Sequence, residues 1–353
     1  MPPMTSDLSR RDFLASSAAA TAVAAGIGGN ALSAGAAPVE DVRPLWTTLT
    51  QGSPAMIHLF MPGGWPQFDL WDPKPFTPLT PGVSESLSAT PSPAMRAADL
   101  LSTCPAIASA APGVFLGAGL ELLGTMMDRG VILRSLTVQK EDSRRFTDTR
   151  LDHREHQQRM LDALTFDEPF TELTPDPTQS YGLAQALLKA TKLVEAGQRF
   201  VRVTTPFEAY QGFDAHEFGA RAVAAMKKNI SIVLFAIVGQ MEATGLLDRT
   251  VLVVSSEFGR SPVGCSSPTN EHGEPEPLIL DERGYGHHAH FATTSMLFFG
   301  GPFRRGGYVG RTADSHPMIA EQPVLLPDVH ATIASAMGFK LRMGGRVVRE
   351  LLA

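Results

Sequence analysis

Residues 250–262 read TVLVVSSEFGRSP and carry both a fold signal and a chemical signal. Residues 250–255 form a short apolar run, bounded by polar residues, of the kind that makes a buried strand. A carboxylate, Glu257, follows this strand at once, and Arg260 comes three residues later. A buried carboxylate needs a partner, which could be a metal ion or Arg260. The stretch therefore predicts a core strand with a polar site at its carboxyl end.

Four further strands are predicted on both sides of this stretch. They are residues 55–61 (AMIHLFM), 130–136 (GVILRSL), 200–204 (FVRVT) and 295–299 (SMLFF). Helical patterns lie at residues 150–164, 181–196 and 222–247, and a last helix, capped by Asp328, ends near Gly338. Strands separated by helices favour an α/β sandwich with a mostly parallel central sheet flanked by helices.

The N-terminus has the pattern of an export signal. Residues 9–14 (SRRDFL) place paired arginines before two apolar residues, and an Ala-rich uncharged stretch runs to the small-x-small site at residues 34–36. This pattern is typical of a signal peptide of the twin-arginine route, although an amphipathic helix is the alternative. We predict a signal at residues 1–36, a linker at 37–54 and one domain at 55–353. The export machinery is then a partner, and the mature protein is periplasmic or extracellular.

The composition narrows the classes of partner. The formal net charge is -6 and there is no run of Lys or Arg, so nucleic acid is not expected to bind. The apolar part of the helix at 222–247 is flanked by Lys227, Lys228 and Glu242, so we expect a buried helix and no transmembrane segment in the mature chain. Cys104 and Cys265 lack the clustered spacing of a zinc site, and whether they pair is left open.

Polar side chains recur where the predicted strands end. The carboxyl ends of parallel strands meet at one edge of a sheet, where ligands bind. Histidines that precede the fifth strand join this edge if that strand runs antiparallel. Carboxylates and imidazoles together suit a divalent metal such as zinc or manganese, and suit magnesium or calcium less well. The residues are Asp69 and Asp72 after the first strand, Asp214 and His216 after the third, Glu257 after the fourth, and His287, His288 and His290 before the fifth.

Each of these signals also has a plain structural interpretation. Asp69 could cap a turn, and Asp214-Ala215-His216 could be an ordinary loop cap. The histidine-rich residues 286–290 could be an exposed loop. The metal site is therefore inferred from the joint pattern.

Five motifs resemble those of a family of exported bacterial proteins, domain of unknown function 1501. In chain order they are GG at 63–64 with DLWDPKP at 69–75, FDAH at 213–216, EFGRSP at 257–262, GGPFRRGG at 300–307 and PDVHATI at 327–333. A twin-arginine signal is also usual in that family. The resemblance covers nearly the whole chain in consistent order.

The resemblance implies an alkaline-phosphatase-like fold, since the family is similar in fold to the alkaline phosphatase and sulfatase superfamily. Members of that superfamily hold one or two divalent metals at the carboxyl edge of the sheet. The implied metal ligands here are Asp69, Asp214, His216, Glu257, and His287 or His288. The guanidinium of Arg260 would contact an anionic substrate group.

The chain departs from the family and superfamily patterns at three places. Residues 285–288 (YGHH) stand where the family has an Arg-Asp-His element, and Asp152-His153 is the nearest match to its Asn-His pair. The superfamily's nucleophile has no clear counterpart: Cys104-Pro105-Ala106 lacks the sulfatase setting, and Ser135, Thr147 and Thr149 are only nearby hydroxyls. Three hypotheses follow, of which the first is a metal-dependent hydrolase of small-molecule or polysaccharide phosphate or sulfate esters and the second is a binding or assembly module without catalysis. A surface protein without any site is a third.

Overall fold

The computed structural model describes residues 53–75, 106–138, 153–206, 212–214, 219–260, 290–314 and 319–353. The predicted signal peptide lies outside these residues, so export stays a prediction. The disulfide question also stays open, since Cys104 and Cys265 are both outside the described part.

A mostly parallel sheet of eight strands organises the domain. The strands are β1 Ala55–Phe60, β2 Ala106–Ala108, β3 Phe115–Gly117, β4 Gly130–Thr137, β5 Thr171–Leu173, β6 Phe200–Thr204, β7 Thr250–Ser255, β8 Gly259–Arg260, β9 His290–Phe291, β10 Thr293–Phe299, β11 Tyr308–Val309, β12 Arg311–Thr312, β13 Ile319–Glu321 and β14 Val324–Leu325. The order in the large sheet is β11-β4-β10-β7-β1-β6-β5, with β14 also beside β4. Only β10 pairs antiparallel there, with β4 and β7; the described pairs β2–β3, β8–β9 and β12–β13 are small separate sheets.

Helices cover both faces of the sheet and bury two apolar layers. They are α1 Gln67–Leu70, α2 Glu121–Gly124, α3 His153–Ala163, α4 Gly182–Glu195, α5 Gly219–Ala243 and α6 Leu326–Met337. Ile57 and Leu59 of β1 belong to the core layer that contains residues of α2, α4 and α5. Met56 and Phe60 belong to the layer that contains residues of α3 and α6. This alternation follows from the two-residue period of a strand, and it sandwiches the sheet between helices.

The predicted architecture is confirmed. The five core strands at 55–61, 130–136, 200–204, 250–255 and 295–299 correspond to β1, β4, β6, β7 and β10, and the predicted helices correspond to α3, α4, α5 and α6. The antiparallel direction of β10 relative to β7 brings the start of β10 to the carboxyl ends of β1, β6 and β7. Asp328 caps the last helix from inside its first turn: its Oδ2 accepts the Leu325 N–H at 3.1 Å.

Helix α5 is the one helix among the described residues that is long and apolar enough to cross a membrane, by length and composition alone. Its span Ala222–Ala243 has a mean hydropathy of 1.6 over the most apolar window, and 56% of that window is buried within the domain. Met226, Ile230, Leu234 and Met241 pack into the core layer shared with α4. This packing accounts for the apolar residues on the side of the helix that faces the core.

Candidate functional site

Two glycines after β1 make a backbone turn that no other residue fits. Gly63 and Gly64 have φ angles of 109° and 69°, a region that favours glycine. A Cβ on Gly63 would overlap the backbone amide of Asp214, and one on Gly64 would overlap the ring of Phe258. The Phe213 N–H donates to the Pro62 carbonyl at 2.9 Å. The turn therefore holds the 212–214 segment against the end of β1.

Glu257 accepts the amides of this turn. Its Oε1 accepts the Gly63 N–H at 2.8 Å, and its Oε2 accepts the Gly64 N–H at 3.3 Å and the Ser256 hydroxyl at 2.9 Å. The side chain is fully buried, and burial raises the pKa of the carboxyl while these donors oppose the shift. Backbone N–H groups therefore donate a hydrogen bond to each carboxylate oxygen of Glu257.

Arg260 holds the carbonyls of the same two glycines. Its Nε donates to Gly63 O at 2.7 Å and to Gly64 O at 2.8 Å, and an Nη donates to Gly63 O. The same Nη donates to Asp214 Oδ1 at 3.0 Å. Arg260 is fully buried, and burial lowers its pKa to about 10, with Asp214 and Glu257 opposing. The guanidinium thus stays charged at neutral pH and couples the turn to Asp214.

We call Glu257, Arg260 and the Gly63-Gly64 turn the diglycine clamp. The sequence predicts that Glu257 pairs either with a metal ion or with Arg260. In the structure, the described hydrogen bonds of both side chains go to the backbone of Gly63 and Gly64, which lies between them. The available signal was the Gly63-Gly64 pair itself, because adjacent glycines after a strand allow close backbone approach.

Asp69 lies beside the clamp on the one-turn helix α1. It is fully buried. Two residues before it, the Gln67 side chain accepts the Arg260 N–H and donates to Thr293 O, both at 3.2 Å. The Trp65 indole donates to Thr294 Oγ1 at 2.9 Å. The structure therefore brings the Asp69 segment, Asp214, Glu257 and Arg260 to one edge of the sheet.

Buried hydroxyls without hydrogen-bond partners lie at this edge. In the described part of the chain they include the hydroxyls of Thr205, Thr293 and Ser295, and the indole N–H of Trp71 belongs with them. Thr205 follows β6 and its N–H donates to Phe60 O at 3.0 Å, while Thr293 and Ser295 begin β10. Buried polar groups normally find partners, so these atoms favour a ligand or ordered water at the edge.

The remaining predicted site residues divide into two groups. His216, His287 and His288 lie outside the described residues, as do Asp152, Thr147 and Thr149, and the side chain of His290 is not described. Asp72 is paired with Arg134 at 3.1 Å and with Lys74 at 3.2 Å. The Ser135 hydroxyl donates to Gln322 O. Within the described ranges, no three His, Cys, Asp or Glu residues form a group that could hold a metal, so the metal assignment stays a prediction.

A buried serine–histidine pair is not arranged as a nucleophile and base. His58 Nε2 lies 2.8 Å from Ser255 Oγ, but the Arg202 Nε–H donates to His58 Nδ1 at 3.1 Å. Nδ1 therefore accepts, and in the neutral ring Nε2 carries the proton. Burial first, and Arg202 second, lower the pKa of His58 well below its usual value. The imidazole donates to Ser255 and cannot take its proton.

Comparison with known proteins gives one family match. The model of a family described as "Protein of unknown function (DUF1501)" matches residues 137–344. No curated protein matches the chain in sequence.

Several solved structures match the chain at low sequence identity. A protein of the alkaline phosphatase superfamily from Vibrio parahaemolyticus is 12% identical with a TM-score of 0.39, over 91% of this chain and 76% of that one. The PsFucS1 sulfatase from Pseudoalteromonas sp. is 10% identical with a TM-score of 0.39, over 89% and 74%. The phosphonate monoester hydrolase SpPMH from Silicibacter pomeroyi is 13% identical with a TM-score of 0.31, over 56% and 49%.

The chain spans only part of the solved chains that it matches. It covers 36% of Ps i-CgsB in one crystal structure and 75% in a complex with k-i-k-neocarrahexaose.

Proposed function

The chain belongs to the DUF1501 family, and from this premise and the geometry at the sheet edge we propose that it is an exported, metal-dependent hydrolase of phosphate or sulfate esters. The observation that carries the proposal is the convergence at the carboxyl edge. Buried Asp69, partly exposed Asp214 and the diglycine clamp meet there, beside buried hydroxyls that have no hydrogen-bond partner among the described residues. Ligands of open α/β sheets bind at this edge.

The chemistry of the donor set fits a divalent metal in part. Asp69 and Asp214 supply hard carboxylate oxygens, and His216, His287 and His288 would add the imidazoles that zinc and manganese accept. Glu257 fits less well as a ligand, because backbone amides and Ser256 already donate to both of its oxygens. When bound, a metal would polarise the ester oxygen and neutralise charge on the leaving group.

The residues of the clamp would act by positioning. Arg260 donates to Asp214 and so orients a carboxylate that is 25% exposed. The buried Arg260 side chain favours this role over the expected direct contact with a substrate anion. Glu257 would keep the turn in place from its amide side. Neither role requires the clamp residues to touch the ester.

We place the mature protein in the periplasm or outside the cell, after export by the twin-arginine route. The support is the sequence of residues 9–36. The substrate would be an ester on a small molecule or polysaccharide. The net charge of -6 disfavours nucleic acid as a partner.

The test is metal analysis of the mature protein, purified from the periplasm without histidine tags or chelators. We expect about one or two equivalents of zinc or manganese, as in metal-dependent esterases, and loss of metal in Asp69→Asn. Hydrolysis of an aryl phosphate or aryl sulfate should stop with a chelator and return with metal. The matched control is Asp248→Asn, whose side chain is 78% exposed. Wild-type protein that stays metal-free after reconstitution would overturn the proposal.

A non-catalytic binding or assembly module is the second candidate. Two observations favour it. His58 donates to Ser255 and so cannot take its proton, and the described hydrogen bonds of Glu257 go to the Gly63 and Gly64 amides and to Ser256. Such a protein would hydrolyse none of the aryl esters with any metal, yet would retain an envelope carbohydrate in a binding assay. Metal-dependent turnover that is lost in Asp69→Asn would exclude it.

A further inference from the structure

The hydroxyl of Thr205 is a buried polar group that the packing of the domain does not use. The residue is 4% exposed, and its Oγ1 has no hydrogen-bond partner among the described residues. A buried hydroxyl without a partner lowers stability, because its hydrogen bonds to water are lost on folding. Such a group in a native protein needs an explanation, and a place for a ligand is one.

Thr205 lies beside the exit of β1, on the flank where the 212–214 segment also lies. Its N–H donates to Phe60 O at 3.0 Å, and the Phe213 N–H donates to Pro62 O at 2.9 Å. The two acceptors are two residues apart, which is about 7 Å in an extended chain. Thr205 and the 212–214 segment therefore flank the same short stretch of backbone, which leads into the diglycine clamp.

The side chain of Thr205 belongs to the side of the sheet that α5 covers. Val201 and Val203 of β6 lie in the core layer that contains residues of α5, and the two-residue period of a strand puts Thr205 on the same face. Trp65 and Phe213 lie in that layer too, with 6.1 Å between their ring centroids. The hydroxyl is therefore a polar group at the end of an apolar layer, where the layer meets the candidate site.

Exposure and position separate Thr205 from the other buried hydroxyls without partners in the described part of the chain. Thr250, Thr293 and Ser295 are 0% exposed, whereas Thr205 is followed by the half-buried Pro206. Thr250 begins β7, which runs parallel to β1, so it lies at the opposite end of the sheet. Of these four hydroxyls, Thr205 is the one that is both at the carboxyl edge and close to solvent.

We propose that Thr205 binds the substrate: its hydroxyl donates a hydrogen bond to an oxygen of the sulfate or phosphate group of the bound ester. This inference rests on the proposed function and adds a substrate contact to it. A small tetrahedral anion can approach a hydroxyl that is 4% exposed, whereas the larger alcohol part of the ester stays at the surface. The bound oxygen would supply the partner that the hydroxyl lacks in the free protein.

Replacement of Thr205 by valine removes the hydroxyl and nearly keeps the size of the side chain. Thr250→Val is the matched control, because it removes a buried hydroxyl without a partner at the other end of the sheet. In urea unfolding of the mature protein, we expect neither variant to be less stable than the wild type, since neither loses a hydrogen bond. Clear destabilisation by Thr205→Val alone would show that the hydroxyl serves the structure, and it would overturn the proposal.

Hydrolysis of 4-nitrophenyl sulfate and 4-nitrophenyl phosphate, with zinc or manganese added, measures the contact during turnover. We expect Thr205→Val to raise KM roughly tenfold, the loss of one hydrogen bond to an anion, with a much smaller change in kcat. Thr205→Ser keeps the hydroxyl and should stay near the wild-type KM, as should Thr250→Val. A wild-type KM in Thr205→Val would refute the contact.

Thermal stabilisation by inorganic sulfate and inorganic phosphate tests the contact without turnover. At least one anion should stabilise the wild type saturably, with roughly tenfold weaker binding in Thr205→Val and unchanged binding in Thr250→Val. If the wild type hydrolyses neither ester but shows this pattern, the proposed function fails and the anion contact stands. Equal affinity in the wild type and Thr205→Val overturns the contact in either case. Where neither ester is hydrolysed, the lack of any saturable stabilisation overturns it as well.

Discussion

At the residue scale, single backbone positions decide whether the candidate site can form. Gly63 is the sharpest case, because its positive φ and the contact with the Asp214 amide both exclude a side chain. Gly113 has a comparable φ of 77°, yet a Cβ there meets no heavy atom within 4 Å. Substitution at Gly113 therefore tests conformational strain alone, whereas substitution at Gly63 tests strain together with steric overlap.

We predict that Gly63→Ala destabilises the protein clearly more than Gly113→Ala. Left-handed strain alone is expected to reduce the unfolding free energy by about 1–2 kcal/mol in both variants. Overlap with the 212–214 segment adds about 1–3 kcal/mol at Gly63. Urea unfolding of both variants measures the difference, and equal destabilisation would contradict the close contact.

At the scale of elements, polar side chains join segments that are distant in sequence. Helix α6 shows this: Asp328, His330 and Thr332 accept the N–H groups of Arg346, Arg342 and Val348, at 2.7, 2.9 and 2.9 Å. Burial lowers the pKa of His330, which keeps its ring neutral and able to accept. The PDVHATI motif thus ties down the C-terminal segment.

A polar row crosses four strands on the face that α3 covers. Ser255 of β7, His58 of β1, Arg202 of β6 and Glu172 of β5 are linked in series, the last pair at 3.1 Å. Arg202 also donates to Leu161 O and Leu164 O. Protonation of His58 Nδ1 would remove the acceptor of the Arg202 Nε–H and set two N–H donors facing each other. The hydrogen bonds of this row therefore require the neutral imidazole.

The row predicts a specific loss of stability in mild acid. His58 has a lowered pKa in the folded protein. Below about pH 6.5, His58 is therefore protonated in the unfolded chain but stays neutral in the folded chain. The unfolding free energy should fall by about 1.4 kcal/mol per pH unit through this group. His58→Gln does not titrate and should show a shallower slope, measured by urea unfolding between about pH 5 and 7.5. The same slope in both proteins would contradict the neutral assignment.

At the scale of the whole molecule, one sheet separates two cores and gathers the polar groups at one edge. Export is predicted from the sequence of residues 9–36. The C-terminal residues close the domain: the Ala353 N–H donates to Pro302 O at 3.0 Å, and the Arg304 N–H donates to Leu351 O at 2.8 Å. These two bonds join the last residues of the chain to the segment that follows β10.

We predict that export depends on the arginine pair. In the native host, replacing Arg10 and Arg11 by lysine should leave the precursor in the cytoplasm, because the twin-arginine route reads that pair. Fractionation and immunoblotting would detect it, with Arg43→Lys in the linker as the control that still yields mature periplasmic protein. Mature periplasmic protein from the double variant would refute this route.

The sequence by itself determined the five core strands, the flanking helices and the family, because apolar periodicity and motif order are local properties of the chain. It also placed Asp69, Asp214 and Glu257 at strand exits. Only the tertiary structure decided which groups pair. Glu257 accepts the N–H groups of the Gly63-Gly64 turn, and Arg260 donates to the carbonyls of that turn and to Asp214. Lys74 and Arg134 both pair with Asp72. Those choices depend on which segments the strand order makes neighbours, and on the need of every buried charge for a partner within hydrogen-bond reach, neither of which is encoded in spacing along the chain.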